Sequence, residues 1–133
     1  MGRYIGTYQR NGLANLPIIP DITFTEGINH TARFVAPAIL DTGADFSSIP
    51  TRFAKQHKLP IHDWKPVLQS DGTQQKRPVY YLKVEVSGLR AITERFIDSG
   101  YPETLIGVNI LNRWRILLDP SHKMSQYDFI IDD

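Results

Sequence analysis

The 133-residue chain contains no cysteine, which excludes disulfide frameworks, thiolate zinc sites and cysteine nucleophiles. Long apolar runs are also missing, since no segment approaches the roughly 20 apolar residues of a membrane span. The N-terminus lacks the apolar core of a secretion signal. We therefore expect a cytoplasmic protein that makes no contact with a membrane.

Neither sign of charge predominates in the chain. Fifteen basic and 14 acidic residues are scattered along the chain, for a net charge of +1. A nucleic-acid surface requires a clustered basic stripe, so no nucleic-acid partner is expected. The spacing of the four histidines does not resemble a ligand set, and we expect neither a metal nor a cofactor (His30, His57, His62 and His122).

What the chain does contain favours strands and turns. Nine prolines, nine glycines and an apolar content of 41% suit a β protein better than a helical bundle. The length predicts one domain with a real core. Residues 1–16 are polar and are expected to form a flexible N-terminal arm, so that residues 17–133 form the domain.

Local patterns predict a mainly antiparallel β protein with two short helices. Strands are expected at 16–24, 34–40, 67–69, 79–86, 91–97, 104–107, 115–118 and 127–131. Short helices are expected at 50–57 and 108–114, and turns at Glu26–His30 and at Asp71-Gly72.

The tripeptide Asp41-Thr42-Gly43 is the strongest functional signal. The apolar run that ends at Leu40 delivers a carboxylate to a strand end, and Ala44 and Asp45 follow. An ordinary turn would also accept this tripeptide, because Asp caps turns and Gly adopts positive φ. The surrounding sequence distinguishes the two interpretations.

Four features in order resemble the retropepsin-like aspartic proteases, in particular their small single-domain bacterial members, which share their fold with retroviral proteases. They are residues 38–45 around Asp41, the Ile49-Pro50 pair with the short helix up to Pro60, the hairpin tip at 70–73, and the segment 104–113. The resemblance covers residues 18–130. It implies a closed, antiparallel acid-protease-like β barrel with one or two short helices in a single lobe.

The resemblance also implies the chemistry, which is peptide hydrolysis by two aspartates that flank one water molecule. Asp41 would be the catalytic residue, and the active-site loop would contain Thr42, Gly43, Ala44 and Asp45. Thr42 would hydrogen-bond across the pair, Gly43 would let the backbone approach the substrate, and Asp45 would contact substrate backbone or orient the loop.

A second aspartate must complete the pair. Asp98-Ser99-Gly100 is a variant of the motif, but only 57 positions separate Asp98 from Asp41, too few to build a second lobe. We interpret that tripeptide as a strand-ending turn. The second carboxylate is then Asp41 of another copy, and a homodimer with two-fold symmetry is expected.

The hairpin tip formed by Ser70, Asp71, Gly72 and Thr73 corresponds to the flap of the family. A flap would fold over a polypeptide substrate and hold it extended. A surface hairpin without a catalytic role is the alternative.

One departure from the family pattern concerns Val108, where many retropepsins carry an arginine that pairs with the acid after Asp-Thr-Gly-Ala. Either Arg113 or Arg115 would substitute for it beside Asp45, or the dimer contact differs. The terminal segment Tyr127–Ile131 is the candidate for a strand in the dimer interface.

Two further functional hypotheses stay open. A catalytically silent peptide-binding dimer could keep the same fold, although it has no chemical reason to keep Asp41. A β-sheet interaction module with an accidental Asp-Thr-Gly would not explain the other three features.

Overall fold

The computed structural model of the chain describes residues 2–12, 14–119 and 129–133. The described strands are β1 (Arg3–Gly6), β2 (Tyr8–Asn11), β3 (Ala14–Glu26), β4 (Arg33–Leu40), β5 (Ser47–Ile49), β6 (Asp63–Leu68), β7 (Gln74–Glu85), β8 (Ile92–Asp98), β9 (Leu105–Ile106), β10 (Arg115–Leu118) and β11 (Phe129–Asp132). The described helices are α1 (Thr51–Gln56) and α2 (Val108–Leu111). Neither is long and apolar enough to cross a bilayer, and no other α-helix occurs in the described ranges.

Most strands belong to one sheet with the order β2-β3-β4-β9-β5-β8-β7-β6. A further pairing between β3 and β7 joins the sheet back on itself, so that β3, β4, β9, β5, β8 and β7 form a closed ring. The pairings are antiparallel except for β4 with β9 and β5 with β8, which are parallel. The expected mainly β, single-lobed fold with two short helices is confirmed, although the sheet is mixed rather than wholly antiparallel.

Alternation along the strands explains why the ring has an apolar interior. In β4 the side chains of Phe34, Ala36, Ala38 and Leu40 are buried, and every intervening residue is more exposed. Each large apolar side chain buried in this way contributes about 1.5–3 kcal/mol to folding. β4 is therefore held along its length by the core, and it ends immediately before Asp41.

The long strand β3 ends in a turn built around a buried carboxylate. Glu26 is 1% exposed, and its oxygens accept hydrogen bonds from the backbone N–H groups of Ile28 and Asn29, each at 2.7 Å. Burial acts to raise the pKa of Glu26, but these bonds and those from Thr31 hold the pKa below its ordinary value. The turn expected at Glu26–His30 is confirmed, with His30 at a φ of 56°.

A separate three-stranded sheet has the order β1-β11-β10. Its inner face packs on the core through Phe129 and Ile131, and Tyr4 packs against them. On its outer face Ile5, Ile130 and Leu117 lie side by side.

The N-terminal region, expected to be a flexible arm, contains two paired strands at residues 3–6 and 8–11. Its flexibility in solution, and the boundary at residue 17, stay predictions. The final strand begins at Phe129 in the structure, and residues 127 and 128 of the expected strand lie outside the described residues, as does His122.

Candidate active site

Asp41 lies at the end of β4, where two backbone hydrogen bonds to the neighbouring segment fix the chain. The N–H of Asp41 donates to the carbonyl of Ile106 at 2.9 Å, and the N–H of Ile39 donates to the carbonyl of Thr104 at 3.0 Å. Residues 104–106 therefore lie alongside the strand that carries Asp41. The backbone position of the carboxylate is set by the barrel wall rather than by a free loop.

The loop that follows curls around the Asp41 carboxylate. Oδ1 of Asp41 accepts a hydrogen bond from the N–H of Gly43 at 2.9 Å, and the carbonyl of Asp41 accepts one from the N–H of Ala44 at 3.2 Å. A Cβ atom at Gly43 would lie 3.3 Å from this Oδ1, so a larger residue would press on the carboxylate. Asp41 is half-buried, and its Oδ2 accepts no hydrogen bond from the described residues. One oxygen is anchored, and the other is free to act on a substrate or a water molecule.

The remaining residues of the loop are mostly exposed to solvent. Thr42, Gly43 and Asp45 are exposed, and Ala44 is half-buried. No basic side chain in the described ranges forms an ion pair with Asp45.

Neither arginine considered as a partner for Asp45 occupies that role in the single chain. Arg113 lies 3.6 Å from Glu94, measured from Nη1 to Oε2. Arg115 lies opposite Asp132 in the small sheet. The contacts of Asp45 are therefore left to solvent or to another molecule.

A buried hydrogen-bond network that we did not expect from the sequence supports the loop from behind. The hydroxyl of Ser47 accepts from the N–H of Gly107 at 2.9 Å and donates to Oδ1 of Asn109 at 2.8 Å. The same Oδ1 accepts from the N–H of Ser47 at 2.9 Å, and Nδ2 of Asn109 donates to the carbonyl of Arg95 at 3.0 Å. Ser47 is fully buried. Three segments are tied together at this point, one of which carries Asp41.

Gly107 is required at its position by close packing. A Cβ atom there would lie 2.6 Å from the carbonyl carbon of Phe46 and 2.8 Å from the carbonyl oxygen of Ala44. Beside it, the N–H of Val108 donates to the carbonyl of Ala44 at 2.8 Å. The backbone of the Asp41 loop thus rests directly on the backbone of residues 107–108.

Asp98 is placed differently from Asp41, in agreement with its interpretation as the end of a strand. It is the last residue of β8 and is only 5% exposed. Its Oδ1 accepts hydrogen bonds from the hydroxyl of Thr51 and from the N–H of Gly100. Burial, and to a smaller extent the nearby Asp98 carboxylate, raises the pKa of Tyr80. Asp98 is thus more buried than Asp41, and its Oδ1 is held by two hydrogen bonds.

The predicted hairpin is present, with β6 and β7 as its arms. At its tip the N–H of Gln69 donates to the carbonyl of Thr73 at 2.7 Å, and Gly72 has a φ of 87°. Oδ1 of Asp71 accepts from both the hydroxyl and the N–H of Thr73, and these bonds lower the pKa of Asp71. Ser70 and its neighbours at the tip are exposed. The tip is a well-formed loop that carries no packing contact with the core.

Two cavities lie next to residues 104 and 105, at the start of β9. The first, of about 310 Å³, separates residues 67–70 of the hairpin from Ala44 and Phe46 of the Asp41 loop. The second, of about 340 Å³, lies among β2, β4 and α1. Leu105 lines the first and Thr104 the second. No cluster of three or more metal-binding side chains occurs in the described part of the chain.

Comparison with known proteins decides the family. The model of the family described as "gag-polyprotein putative aspartyl protease" matches residues 28–113, which is more than half of the chain and includes Asp41, the hairpin and Gly107. The chain belongs to this aspartyl protease family. A curated relative, "Uncharacterized protein 7" of Soybean chlorotic mottle virus, is 28% identical over 82 residues. The match covers 60% of this chain and 55% of the viral protein, so the chain spans about half the length of that relative.

Solved aspartyl proteases share the fold. A retropepsin-like aspartic protease from Rickettsia conorii has a TM-score of 0.59 at 17% identity, over 98% of this chain and 89% of that one. The EIAV protease, solved in complex with the inhibitor HBY-793, has a TM-score of 0.54 at 21% identity, over 79% of this chain and 93% of that one. The foamy viral protease-reverse transcriptase has a TM-score of 0.50 at 21% identity, and this chain covers 12% of it. The retropepsin fold of this family member is established by these likenesses.

Proposed function

We propose that the chain is an aspartic endopeptidase that works as a homodimer, with Asp41 of each subunit forming the catalytic pair. The single observation that carries the proposal is the state of Asp41, whose backbone is fixed by the barrel wall while Oδ2 stays open. Membership in an aspartyl protease family supports the reaction type. A polypeptide in extended conformation is the substrate that suits the fold.

The need for a second subunit follows from the chemistry of the pair. Asp98 is almost completely buried and belongs to the turn that ends β8 rather than to the Asp41 loop, so we assign it no part in the catalytic pair. The exposed Thr42, Gly43 and Asp45 form a surface that a second copy can cover. Thr42 would then hydrogen-bond across the two-fold axis, and Asp45 would find its partner on substrate or on the other subunit.

Two adjacent carboxylates share one proton, because both cannot ionise at close range. The ionised Asp41 removes a proton from water as the oxygen attacks the peptide carbonyl carbon. The protonated Asp41 donates its proton to the carbonyl oxygen, which gives a tetrahedral diol. The C–N bond then breaks, the amine nitrogen receives the first proton, and a diol proton returns to the second carboxylate.

The hairpin tip at residues 70–73 is proposed as the flap that closes over the substrate. Its support is the cavity that separates the hairpin from the Asp41 loop. A cytoplasmic location and the absence of a metal, a cofactor and a nucleic-acid partner stay predictions of the sequence.

Cleavage of a denatured protein between pH ~4 and 7 tests the proposal, with the native chain compared to Asp41→Asn. Asn can still accept the bond from Gly43, so the variant should fold. We expect a loss of about 10²–10⁴-fold or more in rate. Equal cleavage by both proteins would refute the proposal. Peptide binding without any cleavage by the native chain would favour the silent peptide-binding dimer.

Mixing the two proteins tests the shared pair separately. After subunit exchange in an equal mixture, about one quarter of the dimers carry two Asp41 residues, and we expect about one quarter of the native activity at the same total concentration. Activity of about one half would mean that each subunit acts alone, which would contradict the dimeric active site. Sedimentation velocity establishes the oligomeric state under the same conditions.

A further inference from the structure

The cavity between the hairpin and the Asp41 loop is lined by apolar side chains, by uncharged polar ones and by two charged ones. Its apolar lining includes Phe46, Val67, Leu68, Ile97, Tyr101 and Leu105. The charged side chains that line it are Arg77 and Asp98. With a volume of about 310 Å³, the cavity is large enough for one amino-acid side chain.

Asp98 supplies a fixed acceptor in this cavity. The hydrogen bonds that it accepts from Thr51 and Gly100 both reach Oδ1. Oδ2 accepts no hydrogen bond from the described residues, and the side chain is almost completely buried. Oδ2 can therefore accept a hydrogen bond from a ligand in the cavity, and such a bond is stronger in a largely buried site than in water.

Arg77 supplies a donor on the other side of the turn. Its guanidinium lies against Gly100, since a Cβ atom at that glycine would be 3.3 Å from Nη1 and 3.5 Å from Nη2. Arg77 is half-buried, and no carboxylate in the described ranges lies within ion-pair distance of it. Gly100 thus lies beside both charged groups, because its N–H donates to Asp98 and the guanidinium of Arg77 lies against it.

We propose that this cavity selects substrate side chains that end in a primary amide, glutamine or asparagine. The inference rests on the proposed function, because it treats the cavity as part of the substrate groove. The amide NH₂ group would donate to Oδ2 of Asp98, and the amide oxygen would accept from the guanidinium of Arg77.

Other side chains fit this pair of charges less well. A glutamate side chain would be attracted by Arg77 but repelled by Asp98. A lysine side chain would be attracted by Asp98 but repelled by Arg77. A leucine of similar size would gain apolar contacts, but it would remove water from both charged groups without forming a hydrogen bond to either. A site that is built to form hydrogen bonds discriminates strongly against a substrate that lacks them.

Positional peptide libraries test the preference with glutamine, asparagine, glutamate, lysine and leucine at each position around the cleaved bond. We expect one position at which the amides exceed the other three by at least about tenfold in kcat/KM. A native enzyme that cleaves without an amide preference at any position would overturn the inference and leave the proposed function intact.

Charge variants separate a specificity role from a folding defect. Asp98→Asn keeps an acceptor for Thr51, and it should move the preference toward glutamate. Arg77→Met should move it toward lysine. Lys76→Met is a matched control, because it removes the same charge from the neighbouring exposed position, which does not line the cavity. The inference fails if Arg77→Met and Asp98→Asn lower the cleavage of all peptides by the same factor.

Binding keeps the inference testable if no cleavage is observed. The Asp41→Asn variant retains both charged groups of the cavity, so the same peptides can be titrated into it by calorimetry. Tighter binding of the glutamine peptide than of the glutamate, lysine and leucine peptides is expected. A flat affinity profile would overturn the inference, whereas absent cleavage with a clear amide preference would count against the proposed chemistry alone.

Discussion

Replacing Ser47 by alanine would test how the loop that carries Asp41 is held. The hydroxyl is the acceptor for the N–H of Gly107 at 2.9 Å, inside a fully buried site. Alanine removes it and leaves that N–H without a partner, which costs about 1–3 kcal/mol. Asn109 keeps a donor, because the backbone N–H of Ser47 still reaches its Oδ1. We therefore expect the loss to lie within this range rather than to disrupt the fold.

The free energy of unfolding is measured by urea titration at a fixed protomer concentration, since dimerisation makes apparent stability depend on concentration. For a chain of this size, a loss of about 1–3 kcal/mol corresponds to a decrease in Tm of roughly 3–15 °C. Ser87→Ala, at an exposed serine, is the matched control and should unfold like the native chain. Cleavage should also become slower, because a displaced loop no longer aligns the two carboxylates.

A double-mutant cycle with Asn109→Ala makes the test specific. Ser47 and Asn109 share one network, so the two losses should not add and should differ from the sum by about 0.5–3 kcal/mol. An unfolding midpoint for Ser47→Ala that equals that of the Ser87→Ala control would refute the role of the hydroxyl. Strict additivity in the cycle would refute the network.

Two other variants address the packing and the buried carboxylate. Gly107→Ala places a methyl group within 2.8 Å of backbone atoms, so urea titration should show a loss of about 1–3 kcal/mol together with slower cleavage; an unchanged midpoint would contradict the close packing. Glu26→Gln replaces an acceptor-only group and should cost about 1.5–3 kcal/mol near neutral pH. Because the folded pKa of Glu26 is lowered, its stabilisation is present above the unfolded pKa and is lost as pH falls through the folded pKa. The gap in stability between native and Glu26→Gln proteins should therefore close below about pH 4, and a gap that is independent of pH would contradict the ionised carboxylate.

Local patterns were sufficient to predict most elements of this fold. The alternation that buries Phe34, Ala36, Ala38 and Leu40 is visible in the sequence, and so is the Asp71-Gly72 turn. These features depend on neighbours within a few residues. The position of Asp41 at the end of an apolar strand was predictable for the same reason.

Contacts between distant segments were not predictable in this way. Ser47 and Asn109 are 62 positions apart, and nothing in the local sequence of either residue indicates the other. The closing pair β3–β7 and the parallel pairs also depend on the whole barrel. Residues 1–16 look like an arm because they are polar, yet 3–6 pair with β11, whose residues lie more than 120 positions away.

The two halves of strand β7 belong to different parts of the molecule, and we expect their backbone amides to exchange hydrogen at different rates. Its second half, Tyr80 to Val84, pairs on one side with β8 and lies in the barrel wall. Its first half, Gln74 to Lys76, is exposed and, among the strands that the structure describes, pairs with β6 alone. The amides near the hairpin tip should therefore exchange much faster than those beyond Val79, because they can open without loss of core packing. The barrel can stay closed while the hairpin bends, so with the hairpin as the proposed flap, access to Asp41 and the global stability of the protein would depend on different halves of one strand.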